Sequence, residues 1–190
     1  KKCIAGMPHV PDDYYDWTPI DAEQLKRIYD DLVTEHGVTV LFNSFLSAVE
    51  PGDNGSADTI IISNKAGLTA YKGHVYIDCT GDADIAAWAG AEFQKGNSSG
   101  ELQAATHCFV LTNVDEYGYR YGVRMHGRNP DSPIGAILQD KKYPEITDRF
   151  LNDKPVGPGA VRFNAGHIWD VDNTRPESVS AALMQGRRIA

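Results

Sequence analysis

The chain has 190 residues, 42% of them hydrophobic, enough for the core of one domain or one and a half. Lys and Arg number 18 against 26 Asp and Glu, a formal charge of −8, which argues against a nucleic-acid surface or an anionic membrane as the main partner. No apolar run approaches the roughly 20 residues that cross a bilayer and no signal-peptide pattern opens the chain, so a soluble protein is expected, cytoplasmic or exported.

The opening residues, rich in Pro, Asp and Tyr, carry no hydrophobic period and read as loop, with His9 a surface histidine near Pro8 and Pro11. From Asp21 the pattern sharpens. Asp21 is an N-cap with Gln24 three residues on, and Leu25, Ile28, Tyr29 and Leu32 share one helical face until Gly37 closes the helix as a left-handed residue. Residues 38–42 and 45–49 read as extended, with a turn cluster from Pro51 to Gly55. Residues 59–62 and 68–71 flank a hairpin connection, and 75–77 adds a third strand of a meander, buried and leading into a loop and an Ala-rich helix.

The polar, glycine-bearing run 94–100 suits a connection between lobes, so the expected domains are 1–20 as the end of an upstream element, 21–96 and 97–190. In the second lobe, 104–111 reads as a strand, 117–122 as an aromatic loop, and 134–139 and 144–150 as short helices. The Pro155 to Gly159 cluster reads as a breaker before a strand at 160–164. Thr174 and Glu177 form a capping box for a last helix whose Val179, Ala182, Leu183 and Gly186 share a face. Asp170 to Asn173 lacks the glycine and the final Glu of a calcium loop and reads as a turn; no metal site is expected. Cys3, Cys79 and Cys108, odd in number and without a CxxC pair, read as buried thiols.

The chemistry centres on Ile77-Asp78-Cys79-Thr80-Gly81-Asp82-Ala83-Asp84, a strand, tight loop and helix start of the kind that faces ligands. Its plain structural account is that Thr80 caps, Gly81 turns, and Asp82 and Asp84 occupy the positive end of a helix. The Asp-x-Thr-Gly run also resembles the nucleophile loop of haloacid-dehalogenase-like phosphatases, with Asp78 as nucleophile. The lysine and acidic pair that this family adds for Mg²⁺ have no convincing counterpart here.

The broader resemblance covers about half of the chain. The helix from Asp21, the extended segments after Gly37, the meander, the Asp78 to Asp84 loop, Gly90-Ala91-Glu92-Phe93, and Phe163-Asn164 with a final helix carrying Gly186-Arg187 together resemble FAD-dependent oxidoreductases related to fumarate and glutathione reductases. The resemblance implies an α/β fold with α+β features: part of an FAD-binding domain with a β-meander, then part of a mixed substrate domain. It implies FAD contacts from Leu46, Thr80, Gly81 and Asp82, and hydride transfer between an organic substrate and the flavin. Among substrate-lobe residues, Arg162 and His167 are the catalytic candidates; Gln103, His107 and Asn164 are the substrate-binding ones. An alternating strand such as 161–164 must turn every second residue outward, and for each of these five taken singly an exposed or capped polar residue is the plainer account.

No G-x-G-x-x-G occurs in the 190 residues. The chain is therefore expected to be an internal segment of a flavoenzyme that does not hold FAD tightly alone, its partners a small-molecule substrate and the remainder of its own protein. The alternative is a non-catalytic binding or structural domain.

Overall fold

The computed structural model describes residues 20–190. The readings made for His9, Cys3 and the opening loop lie outside them. The described chain falls into two compact units, one of residues 33–95 and the other of residues up to 32 together with 96–190. Helices and strands mix throughout, and every strand pairing among the described residues is antiparallel, in sheets of two or three strands.

Helix α1, Ala22–Glu35, starts where the sequence says: Asp21 Oδ1 accepts hydrogen bonds from the backbone N–H groups of Glu23 and Gln24 at 3.0 and 3.1 Å. It ends on Gly37, whose φ of +66° is the left-handed region open to glycine. Its apolar stripe is only partly covered, with Leu25 and Ile28 half-buried and Tyr29 and Leu32 exposed.

In the 33–95 unit, β1 (Phe45–Pro51), β2 (Ala57–Asn64) and β3 (Gly67–Tyr71) form a meander in that order. β2 and β3 meet through the expected hairpin, where Asn64 Oδ1 takes the N–H of Ala66. Two expected strands are absent. Residues 38–42 are unpaired and exposed, and 75–77 is not a third strand: Val75 and Ile77 are 78% and 81% exposed. The side chain of Tyr76 holds the latter segment instead, its hydroxyl accepting from Gly73 N–H and donating to the Asp58 carbonyl. β-branched residues favour extended backbone, but propensity alone does not pair a strand: the outer edge of β3 has no strand partner among the described residues, and the Tyr76 anchor on Asp58 of β2 holds 75–77 in another path.

In the other unit, the expected strand at 104–111 divides into β4 (Ala105–Thr106) and β5 (Phe109–Leu111). β7 (Ala160–Ala165) is the centre of a sheet ordered β5-β7-β6, with β6 at Leu151–Gly157, while β8 (His167–Ile168) pairs with β4. The core sits on one face of β7, where Val161 and Phe163 are buried with Leu151, and Phe163 stacks on Phe109 at 5.1 Å. The breaker cluster at Pro155 is thus largely inside a strand.

The aromatic loop is a short helix, α3 (Glu116–Tyr121), because Asp115 Oδ1 caps it through Tyr117 N–H. Helix α4, Ile134–Asp140, forms as expected, but 144–150 is not helical. Near its end the Asp148 carboxylate takes the Phe150 N–H, a local bond that competes with helix.

The last helix, α5, runs from Pro176 to Ile189 with Arg175 at the N-cap and no side-chain cap, so the Thr174 capping box does not form. Thr174 instead donates both its N–H and its hydroxyl to Asp172 Oδ1, in a turn. Ala182 and Gly186 are buried, whereas Leu183 is exposed, so the buried stripe is narrower than expected. Cys79 and Cys108 are exposed free thiols rather than buried ones. No helix among the described residues is long and apolar enough to cross a membrane.

Candidate functional site

Two places carry chemistry, one in each unit. In the 33–95 unit it is the loop before α2 (Asp84–Trp88), which the Asp78 carboxylate ties together. Asp78 Oδ1 accepts from the N–H and the hydroxyl of Thr80 at 3.0 and 2.8 Å, and Oδ2 accepts from Ala86 N–H at 3.0 Å. These bonds from Thr80 and Ala86 hold the Asp78 carboxyl below its usual range. The N-cap residue of α2 is Ala83, whose side chain caps nothing; the Thr80 hydroxyl, four residues back from Asp84, takes the first helical N–H instead, accepting from Asp84 at 2.8 Å.

With both oxygens engaged on its own loop, Asp78 is a structural carboxylate and not a free nucleophile. Thr80 likewise has its N–H and hydroxyl committed. Gly81 is different: it sits at φ +96°, and a Cβ there would meet nothing within 4 Å. Asp82 is exposed beside it. Leu46 is half-buried opposite Ile62 on β1, an edge strand, and a register shift falls between Leu46 and Ala48. Alternate backbone groups of an edge strand face away from its neighbour.

In the other unit a groove of about 580 Å³ opens where β6 and β8 approach the 126–128 turn. His167 lies in it with Nδ1 at 2.7 Å from Asp148 Oδ2. The imidazole is stacked on Phe150 at 4.1 Å and tilted against Trp169 at 4.9 Å, which fixes the ring plane. Arg128 and Arg149 also line the groove. Arg149 donates through Nη2 to the Asn129 carbonyl at 2.6 Å, while its buried Nε has no hydrogen-bond partner. A histidine oriented by a carboxylate beside a guanidinium can hold an anionic group and exchange a proton with what lies next to it.

The other expected substrate residues lie elsewhere. Arg162 is exposed on β7 opposite Lys154 and Val110. Asn164 Oδ1 accepts from Thr106 Oγ1 at 2.7 Å and from the Cys108 thiol at 3.6 Å. His107 packs against α5, where a Cβ on Gly186 would fall 2.6 Å from its own Cβ. Gln103 is exposed. Of the five, His167 alone lines this groove. Asp148, Arg149 and Phe150 were not singled out from the sequence, where they read only as the end of a short helix at 144–150; their link to His167 is made only by the fold.

The family model described as FAD dependent oxidoreductase matches residues 4–190. The chain belongs to that family. No curated protein and no solved structure matches it significantly. Members of an FAD-dependent oxidoreductase family bind the flavin dinucleotide, and the uncovered backbone at Gly81 fits such a group, because main chain without a Cβ can approach a ligand closely. The Thr80 hydroxyl offers a cofactor little, being spent on the loop itself.

Proposed function

We propose that this chain supplies the secondary cofactor contacts and much of the substrate lobe of an FAD-dependent oxidoreductase that transfers hydride between an organic substrate and the flavin. The observation that carries the reading is Gly81: left-handed, uncovered, and set in a loop locked by the Asp78 carboxylate. Gly81 and the backbone at Leu46 would hold FAD, with Asp82 toward its hydroxyl groups, since a carboxylate beside the pyrophosphate would repel it. Bound there, FAD supplies the hydride acceptor or donor. In the substrate lobe His167 exchanges a proton through Nε2 while Asp148 holds Nδ1, and Arg149 orients an anionic part of the substrate. Arg162, Asn164, His107 and Gln103 would serve only at the margins of such a site.

The test is flavin loading in the full-length protein. Gly81→Val should empty it of flavin, read as the visible absorbance per chain. Gly67→Val is the control, since Gly67 also has a positive φ, of +105°, and open space over its Cα but sits in the β2–β3 hairpin. Equal flavin content in the two variants would overturn the reading.

A further inference from the structure

A second cavity, of about 460 Å³, lies between α3 and the core face of β6 and β7. Its volume is within the range of small-molecule sites. Leu111, Val114, Met125 and Phe163 give it an apolar wall.

Asp153 also lines it, 5% exposed, on the same strand face as Leu151. The Tyr119 hydroxyl donates to this carboxyl, yet its buried Oδ1 accepts no hydrogen bond. A buried acceptor left unmade costs the desolvation of that atom, about 1–3 kcal/mol, so a carboxylate is an expensive group to place here without something to receive. Burial pushes the Asp153 carboxyl above its usual range, in keeping with that cost.

The charges around the cavity balance. Three carboxylates, Asp115, Glu116 and Asp153, and three cations, Arg120, Arg124 and Lys154, line it, so the lining has no excess of formal charge to favour an ion of either sign. Gly157 lines the cavity too, and a Cβ there would meet nothing within 4 Å, so the space continues over its backbone.

We propose that this cavity is a binding site for a small, neutral, largely apolar molecule that donates one hydroxyl or amide N–H to Asp153 Oδ1. It is separate from the His167 groove and does not depend on the flavin reading.

The test uses phenol as the probe and toluene as its near-isostere without a donor, titrated into the full chain by calorimetry. Phenol should bind at least about tenfold more tightly, the worth of one buried hydrogen bond to a charged or polar carboxyl. Asp153→Leu should remove the preference and Asp153→Asn, which keeps an acceptor, should retain it. Gly157→Leu, which fills open space without displacing backbone, should abolish binding of both probes and leave the thermal midpoint in place. Equal affinity for the two probes, no binding of either (a cavity holding water only), a preference that survives Asp153→Leu, or phenol binding that survives Gly157→Leu would each overturn the proposal. Should Asp153→Leu fail to fold, the Gly157→Leu and toluene arms decide it.

Discussion

His167 Nδ1 lies 2.7 Å from Asp148 Oδ2, and the same imidazole stacks on the Phe150 ring at 4.1 Å. The carboxylate and the phenyl ring together leave the imidazole one orientation, with Nε2 as its remaining polar atom. His167→Phe should keep the stacking and lose the proton exchange. In the flavin-loaded full-length protein, reduction of the flavin by its organic substrate should slow by about a hundredfold or more. Stopped-flow flavin bleaching measures this; an unchanged rate would leave His167 a packing residue. Asp148→Asn should slow the same step by less, with flavin content unchanged.

The Asp78 loop should be acid-labile. Its folded pKa is depressed, so the ionised carboxylate contributes stability above the ordinary carboxyl range, and that contribution fades as pH falls through the lower folded value. Amide hydrogen exchange should show Thr80, Asp84 and Ala86 losing protection on acidification. In Asp78→Asn these amides should already exchange faster at neutral pH, and with little further pH dependence.

Asp153 has the opposite sign. A raised folded pKa means that the folded state holds the proton more tightly, so stability falls as pH rises from the ordinary carboxyl range to the raised value and stays lower above it. Asp153→Asn should therefore match or exceed the parent in thermal midpoint at neutral pH, with the advantage vanishing in acid. Thermal unfolding at two pH values measures it.

Gly186→Ala in α5 sets two effects against each other. Alanine is worth about 1 kcal/mol over glycine within a helix. The new Cβ would stand 2.6 Å from His107 Cβ and 3.0 Å from Ile168 Cδ1, however, and overpacking of this kind costs about 1–3 kcal/mol. The clash should win, giving a net loss of up to about 2 kcal/mol by urea unfolding. Ala181→Gly, on the exposed side of the same helix, should lose only the propensity term.

What the sequence made legible was whatever is settled within a few residues. Asp21 with Gln24, the apolar period of α1, Gly37, the Asn64 turn and the small buried face of α5 are local signals, and each appears in place. The strands at 38–42 and 75–77 failed for the converse reason: Val38, Val40, Val75 and Ile77 have strand propensity, but whether a strand forms depends on an edge far along the chain. β6 was hidden by Pro155 and Gly157, which punctuate a sequence but are tolerated on an edge strand. In the Asp78 loop, the Thr80 bond to Asp84 N–H and the left-handed turn at Gly81 were readable because both are settled within a few residues. Asp148 and His167 lie nineteen residues apart with β6 and β7 between them, and nothing in their spacing announces the pair.

Pro155 has a consequence for how this molecule meets its own copies. β6 forms the outer margin of its sheet; Gly127 N–H donates to the Leu151 carbonyl at its start, and beyond that the margin is a row of donors and acceptors on which a stray extended chain could template itself. Proline offers no N–H there, the register shift between Pro155 and Gly157 bends the margin, and Lys154 adds a charge. The residue that looks like an interruption in the sequence is thus placed to guard against cross-molecular strand addition, and Pro155→Val, which restores an outward N–H, should raise self-association, read by light scattering on heating.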